Sequence, residues 1–320
     1  MSNVENRGLS VAEIATEEVP HERMIVTLSG GGFIKRVPVS VYRSNKGIIG
    51  MVTRDSDAVK LLCEADTHET LLFFTNNGKV FSLKCREIPV VAFRKAQGTA
   101  ITDFFNITQE ERITALVSVT DFKAEYFLLM ATEKGEIKKS SLKIFYSIQS
   151  IGAIAMDIEE RDELVAAGLA TDEDDVILIT EQGQTIRFAV KSLRSSSRTS
   201  GGVDAIRLHE KDELVSMSMV VPETYLLVAT VNGYGKLTPI GHYKRQNRGG
   251  VGIKTLKVTE ITGKVSAANL VTKNQYLMLV SNDGMVISTR IQEVPKRTTK
   301  PVILMRMDEG DQLASVAAWD

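Results

Sequence analysis

The chain has 320 residues, with 39 Lys+Arg against 40 Asp+Glu for a formal net charge of −1; 43% of the residues are apolar and 25% charged. That composition excludes a disordered or collagen-like chain, and two cysteines, Cys63 and Cys85, are too few for a disulfide framework or a four-ligand zinc site, which suits a reducing cytoplasm. No run approaches ~18 apolar residues and the N-terminus MSNVENRGLS is polar, so neither a membrane span nor a secretory signal is expected. Averaged over the chain, a charge of −1 argues against a nucleic-acid partner.

Residues 1–22, charged and small, read as a linker or short helix. From there the chain is a repeat: an apolar strand, then Ser or Thr, two residues, and Gly. The pattern stands as MIVTLSGGG, LLFFTNNG, FLLMATEKG, VILITEQG, LLVATVNG and LMLVSNDG. Its glycines, Gly32, Gly78, Gly135, Gly183, Gly233 and Gly284, are spaced by 46, 57, 48, 50 and 51 residues. Glycine after polar residues marks a tight hairpin, because it takes positive φ at no steric cost. Second strands such as KVFSLKC and TIRFAVKSL follow, with partial period-2 alternation.

Each unit then runs through a basic Gly/Ser loop to a third strand (IIGMV, AITDFF, AIAMDI, VDAIRL, GIKTLKV, VILMRM). An acidic turn leads on to a fourth (AVKLLCEA, RITALVSV, ELVAAGLA, ELVSMSMV, VSAANLV, QLASVAAW). Six four-stranded modules, bounded at about 23–66, 67–119, 120–171, 172–221, 222–272 and 273–320, leave no room for a long helix. The expected fold is all-β, a propeller-like ring or six-bladed β-pinwheel.

The charges follow the repeat. Windows from each hairpin turn through the basic loop (23–54, 78–99, 134–149, 184–207, 233–257, 285–306) hold 31 Lys+Arg and 4 Asp+Glu, a surplus of +27; the rest of the chain carries −28. In a ring, equivalent positions lie at equivalent radius, so this bias becomes a basic band, the footprint of nucleic-acid binding. Candidate phosphate contacts are Lys35, Arg36, Arg43 and Lys46 in the first module, Arg94 and Lys95 in the second, and Lys138, Lys139 and Lys143 in the third. The later modules add Arg187, Lys191, Arg194 and Arg198, then Lys244, Arg245, Arg248 and Lys254, then Lys296, Arg297 and Lys300. The loop Gln246, Asn247, Arg248, Gly249, Gly250, Val251, Gly252 joins a cation to glycines that let a phosphate approach main-chain N–H groups. Ser195 to Gly202 is a poorer relative, and all these contacts suit duplex backbone with little sequence specificity.

Catalytic constellations are missing. GGVGIKT (249–255) is not a Walker A loop, because Ile253 stands between Gly and Lys. His21, His68, His209 and His242 are scattered and read as surface or loop residues. Glu159-Glu160 and Asp174-Asp175 read as solvated turns, and the two cysteines as strand residues. Aromatics are few and fall in strands, which disfavours stacking on single-stranded bases. No metal or cofactor is expected.

Together these features resemble the C-terminal domain of the DNA gyrase A protein and, less closely, its topoisomerase IV counterpart. The resemblance rests on MIVTLSGGGFIKRVPVSVYRS (24–44), with Gly32, Phe33, Ile34, Lys35 and Arg36 after the turn and Tyr42-Arg43 beyond, on VTEITGKV (258–265), and on DEGDQLASVA (308–317). It implies a six-bladed pinwheel that wraps duplex DNA around its rim and sets the handedness of strand passage for ATP-dependent negative supercoiling. It implies too that the breakage tyrosine and its partner arginine lie in an upstream N-terminal domain joined through residues 1–22, and that the gyrase B protein handles ATP; the domain itself is no enzyme. In the family's first blade a box of Gln, basic residues and Gly is usual. Here that place reads Ser44-Asn45-Lys46-Gly47-Ile48-Ile49-Gly50, and the best box-like string is 246–252. A topoisomerase IV-type tether without strong wrapping and a propeller-like protein-interaction module are the alternatives.

Overall fold

The computed structural model describes residues 19–44, 59–91, 97–294 and 300–319. Six antiparallel sheets, blades 1 to 6, each stand on a hairpin. The hairpins are Arg23–Ser29 with Phe33–Pro38, Thr70–Thr75 with Lys79–Lys84, Phe127–Thr132 with Glu136–Ser141, Asp175–Thr180 with Gln184–Ala189, Tyr225–Thr230 with Tyr234–Pro239, and Tyr276–Ser281 with Val286–Arg290. The repeated Ser/Thr-x-x-Gly signature closes each turn: the glycine N–H donates to the Ser or Thr carbonyl three residues back at 2.9–3.1 Å. All six glycines take φ between +77° and +87°, the left-handed region that favours glycine. In blades 1, 2, 3, 4 and 6 the same hydroxyl accepts the following N–H, from Phe33, Lys79, Glu136, Gln184 and Met285.

First strands are apolar on both faces because both faces are buried. In Thr70–Thr75, Leu71 and Phe73 pack with Met24 and Val26 of blade 1, while Leu72 and Phe74 pack with Leu128 and Met130 of blade 3. The same arrangement repeats between blades 3 and 4, 4 and 5, and 5 and 6. The core is therefore a series of slabs between neighbouring blades.

On the far side of each first strand lies the strand that closes its module: Val59–Asp66, Ile113–Val119, Leu164–Ala170, Leu214–Met219, Val265–Val271 and Leu313–Trp319. These closing strands neighbour one another around the axis. Ser216 Oγ donates to Ala268 O at 2.7 Å between blades 4 and 5, Asn269 Nδ2 to Val316 O at 2.8 Å between blades 5 and 6, and Ser315 Oγ to Val59 O at 2.6 Å between blades 6 and 1. That last bond brings the end of the ring to its beginning.

The third strand does not complete its own module, as the repeat suggested. It is two residues long and pairs with the hairpin of the preceding blade: Thr99–Ala100 on blade 1, Ala153–Ile154 on blade 2, Val203–Asp204 on blade 3, Ile253–Lys254 on blade 4 and Val302–Ile303 on blade 5. Blades 1 to 5 become four-stranded by this exchange; among the described residues blade 6 has three strands. The only described α-helix is the six-residue Val39–Ser44, besides short 3-10 turns, and no described helix is long and apolar enough to cross a membrane. Cys63 lies in a strand, but Cys85 begins a 3-10 turn.

Near the hairpin turns a hydrogen-bonded belt joins the blades. Leu164 N–H donates to Asn76 O, Leu214 N–H to Glu133 O, Val265 N–H to Glu181 O and Leu313 N–H to Val231 O, at 2.7–2.9 Å. The recurring acid of the following turn is structural: Asp162, Asp212 and Asp311 are buried and accept from Lys134, Gln182 and Asp283 N–H at 2.9–3.1 Å. On the belt Glu163 pairs with Arg112 and Glu181 with Lys264, leaving Glu133 against the carboxylates of Glu213 and Glu163. Burial first, then those two charges, raise the Glu133 carboxyl above its ordinary 4.5. The folded state then binds more protons than the unfolded chain above pH 4.5, so this group costs stability as pH rises through its folded pKa. Glu133→Gln is expected to raise the midpoint of urea unfolding at pH 7, with the gain vanishing below pH 4.5; an unchanged midpoint at pH 7 would show that the charge carries no strain.

Candidate nucleic-acid interface

Because the closing strands meet at the axis, the opposite edge of each sheet is the circumference. There each chain leaves its second hairpin strand, makes a 3-10 turn (Cys85–Glu87, Leu142–Phe145, Val190–Ser192, Ile240–His242, Ile291–Glu293) and loops back to the preceding blade. The described loop residues of the basic windows in modules 3 to 5 follow these turns.

Several of the cations there are not solvent-facing. Four residues after the hairpin glycine, one repeat position reaches into the base of the next module's loop. Arg36, buried, donates from Nε to Ile88 O and from Nη2 to Arg86 O. Lys139, buried, pairs with Asp172, donates to Leu193 O at 3.3 Å and sits 4.1 Å above the Phe127 ring. Arg187 donates to Tyr243 O at 3.2 Å and to Asp175 at 2.8 Å, and in blade 2 the Ser82 hydroxyl donates to Ile148 O at 2.6 Å. In blades 1 to 4 this position locks the blade to the next module's loop.

One residue earlier, Lys138 is almost completely buried and donates to Ala155 O at 2.9 Å, Arg198 O at 2.6 Å and Ser200 O at 2.7 Å. Burial first, then the Arg198 charge, pull its ammonium down to about 8. Lys236 is the counterpart in blade 5, donating to Thr255 O at 2.7 Å, and burial lowers it as well. Arg36, Lys138 and Lys139, read from sequence as rim contacts, are instead buried and fasten loop carbonyls. Asp175, read as part of a solvated turn, is buried and holds both Arg187 and Arg245, the latter at 2.8 Å.

The box-like loop corrects a second expectation. Gln246 N–H donates to Arg187 O at 2.8 Å, Gly249 N–H to Ala205 O at 2.7 Å, and Gly250 O accepts from Arg207 N–H at 2.8 Å. Gly252 has φ +75°, and a Cβ there would stand 2.5 Å from Thr185 O. These glycines bring the loop onto blade 4 and the short strand Val203–Asp204; the Gly249 N–H is already committed, so it does not wait for a phosphate. Arg248 Nη1 donates to Asp204 O at 2.9 Å, and Arg198, its equivalent one module earlier, donates to Ile154 O. Each guanidinium has five N–H donors, which leaves part of the fork for an outside acceptor.

Among the described residues, the candidate cations that remain exposed are most numerous in modules 4 and 5. Lys191, Arg194, Lys244 and Lys254 are exposed and form no ion pair among the described residues. Arg245 and Arg248 are exposed, Arg198 half-buried; Lys143 is exposed beside Glu125, and Lys300 is exposed in module 6. Lys35 lies half-buried on Phe33–Pro38, and Arg43 falls in the helix Val39–Ser44. Lys46, Arg94, Lys95, Lys296, Arg297, the first-module box positions 45–50 and linker residues 1–18 lie outside the described residues.

The family model described as DNA gyrase C-terminal domain, beta-propeller, matches residues 23–60, 69–120, 126–170, 174–220, 224–272 and 275–320, one segment per module. The DNA gyrase A protein of Dehalogenimonas lykanthroporepellens is 40% identical over 329 aligned residues, covering 99% of this chain and 40% of its own length. The gyrase A protein of Halalkalibacterium halodurans is 45% identical over 308, covering 94% of this chain and 37% of its own. The chain thus spans about two fifths of the length of these relatives. Among solved structures, a DNA gyrase A C-terminal domain aligns with a TM-score of 0.80 at 23% identity, over 93% of this chain and all of that one. The C-terminal domain of DNA topoisomerase IV aligns at 0.75 and 22%, over 94% of each chain, a likeness of fold.

Buried fasteners and exposed cations separate in stability measurements. Lys138→Ala and Arg187→Ala each strand buried acceptors, and urea unfolding is expected to show a loss of about 1–3 kcal/mol. Lys191→Ala and Lys244→Ala should stay within about 0.5 kcal/mol of wild type; equal losses in both sets would remove the distinction.

Proposed function

Because the chain belongs to the DNA gyrase C-terminal domain family, we propose that it binds, bends and wraps duplex DNA around its outer edge as the non-catalytic, DNA-handling part of a bacterial type IIA topoisomerase. The observation that carries the reading is the group of exposed cations Lys191, Arg194, Lys244 and Lys254 on adjoining loops of the outer edge, without an ion pair among the described residues, with Arg194 and Lys244 at one repeat position. Acidic side chains gather instead at the hairpin-turn end, around Glu133, Glu163, Glu181 and Glu213, which repels phosphate from that surface. Bending a 20–30 bp site by 40–90° costs roughly 1–6 kcal/mol, which release of counterions at many phosphates offsets. Among the described residues nothing on the rim resembles a recognition helix, which supports affinity from backbone contacts and low specificity.

Breakage and ATP hydrolysis belong, in this reading, to the remainder of the gyrase A protein and to gyrase B, in the cytoplasm at the nucleoid. Wrapping of fixed hand is what the outer edge would contribute: it presents a crossing of one sign to the strand-passage machinery. Ligation of nicked circular DNA on the protein tests this directly, since wrapping leaves a linking-number change of defined sign. DNA that is bound without such a change leaves only a tether. For the contacts themselves, each phosphate lost lowers the slope of log K against log[salt] by about 0.9. The quadruple Lys191, Arg194, Lys244 and Lys254→Ala chain is expected to lose about 3 to 4 of that slope with its unfolding midpoint unchanged; an undiminished slope would move the duplex elsewhere.

A further inference from the structure

Module 3 breaks the basic edge. From the carbonyl that receives the blade lock to the glycine before the short strand, modules 4 and 5 run ten residues, Leu193 to Gly202 and Tyr243 to Gly252; module 3 takes five, Ile148 to Gly152. The residues it lacks are those that carry Arg194, Arg198, Lys244, Arg245 and Arg248 in its neighbours. No Lys or Arg occurs between Lys143 and Arg161. In their place the loop exposes large apolar side chains: Ile151 at 82%, Tyr146 at 74% and Ile154 at 50%.

From this we infer that Ile151 is a wedge that enters the base stack where bound duplex crosses the third module's loop, a proposal that rests on the duplex-binding reading above. Ile151 immediately precedes Gly152, the place held by Gly201 and Val251 in the cationic loops, so it projects from the same circumference. Its turn is braced. Gly152 N–H donates to Gln149 O at 3.1 Å, and at φ +81° Gly152 lies so close to the Phe81 ring that a Cβ would stand 2.4 Å from it. Arg198 donates to Ile154 O, which places a cation at the edge of the patch. An isoleucine facing a phosphate chain gains nothing, whereas between unstacked base pairs it leaves water and kinks the helix, which favours flexible pyrimidine–purine steps.

The probe is a duplex with one such step carrying 2-aminopurine and dyes at both ends. Wild type is expected to raise 2-aminopurine emission and end-to-end energy transfer. Ile151→Ser should lose the emission rise and most of the transfer, bind this duplex about tenfold more weakly and keep the wild-type salt slope, while Ile151→Leu behaves as wild type. Emission and transfer unchanged in Ile151→Ser overturn the wedge while leaving duplex binding standing, and if that variant also loses self-association in sedimentation, the patch is a contact between copies. Failure of wild type to bind any duplex overturns both readings.

Discussion

Exchange of a two-residue strand between neighbouring blades is the constraint on which this molecule depends. A module of about 50 residues cannot complete its own sheet; its chain must leave the hairpin, cross to the previous blade, add Ala153–Ile154 or its equivalent there, and return to the axis. The crossing happens at the outer edge, so modules 2 to 6 each lay a loop along the circumference. The loop's base is then fixed by a side chain of the preceding blade, Arg36, Ser82, Lys139 or Arg187, and the slabs of apolar residues between blades follow from that adjacency.

The same exchange divides the cations into two populations of opposite use. Two inside hairpin strands, Lys138 and Lys236, satisfy loop carbonyls, and leaving water lowers their pKa. Those beyond the 3-10 turns keep their charge in solvent. A basic surplus counted along the chain therefore overstates what a ligand meets.

Much of the architecture was legible because the physics is local. The Ser/Thr-x-x-Gly turn is one hydrogen bond and one left-handed glycine, and continuous apolar runs such as LLFF follow from burial on both faces. What the repeat could not reveal was the partner of each third strand, since pairing with its own blade and with the previous one demand the same residues. The roles of Arg36, Lys138 and Lys139 were hidden for a related reason: a cation in a strand looks like a rim cation until the carbonyls it serves are brought to it from distant parts of the chain. One signal was available. Strand positions between buried neighbours such as Ile137 and Leu142 are poor places for a solvent contact. Asp175 was misread likewise, because its two arginines come from different modules.

The blade lock also decides how the ring carries load. The loop of module 4 is rooted in blade 4 through Gln184–Ala189 and tied to blade 3 through Lys138, Lys139 and the pairing of Val203–Asp204. A pull on this loop is thus shared between two adjoining sheets, because it is anchored in both.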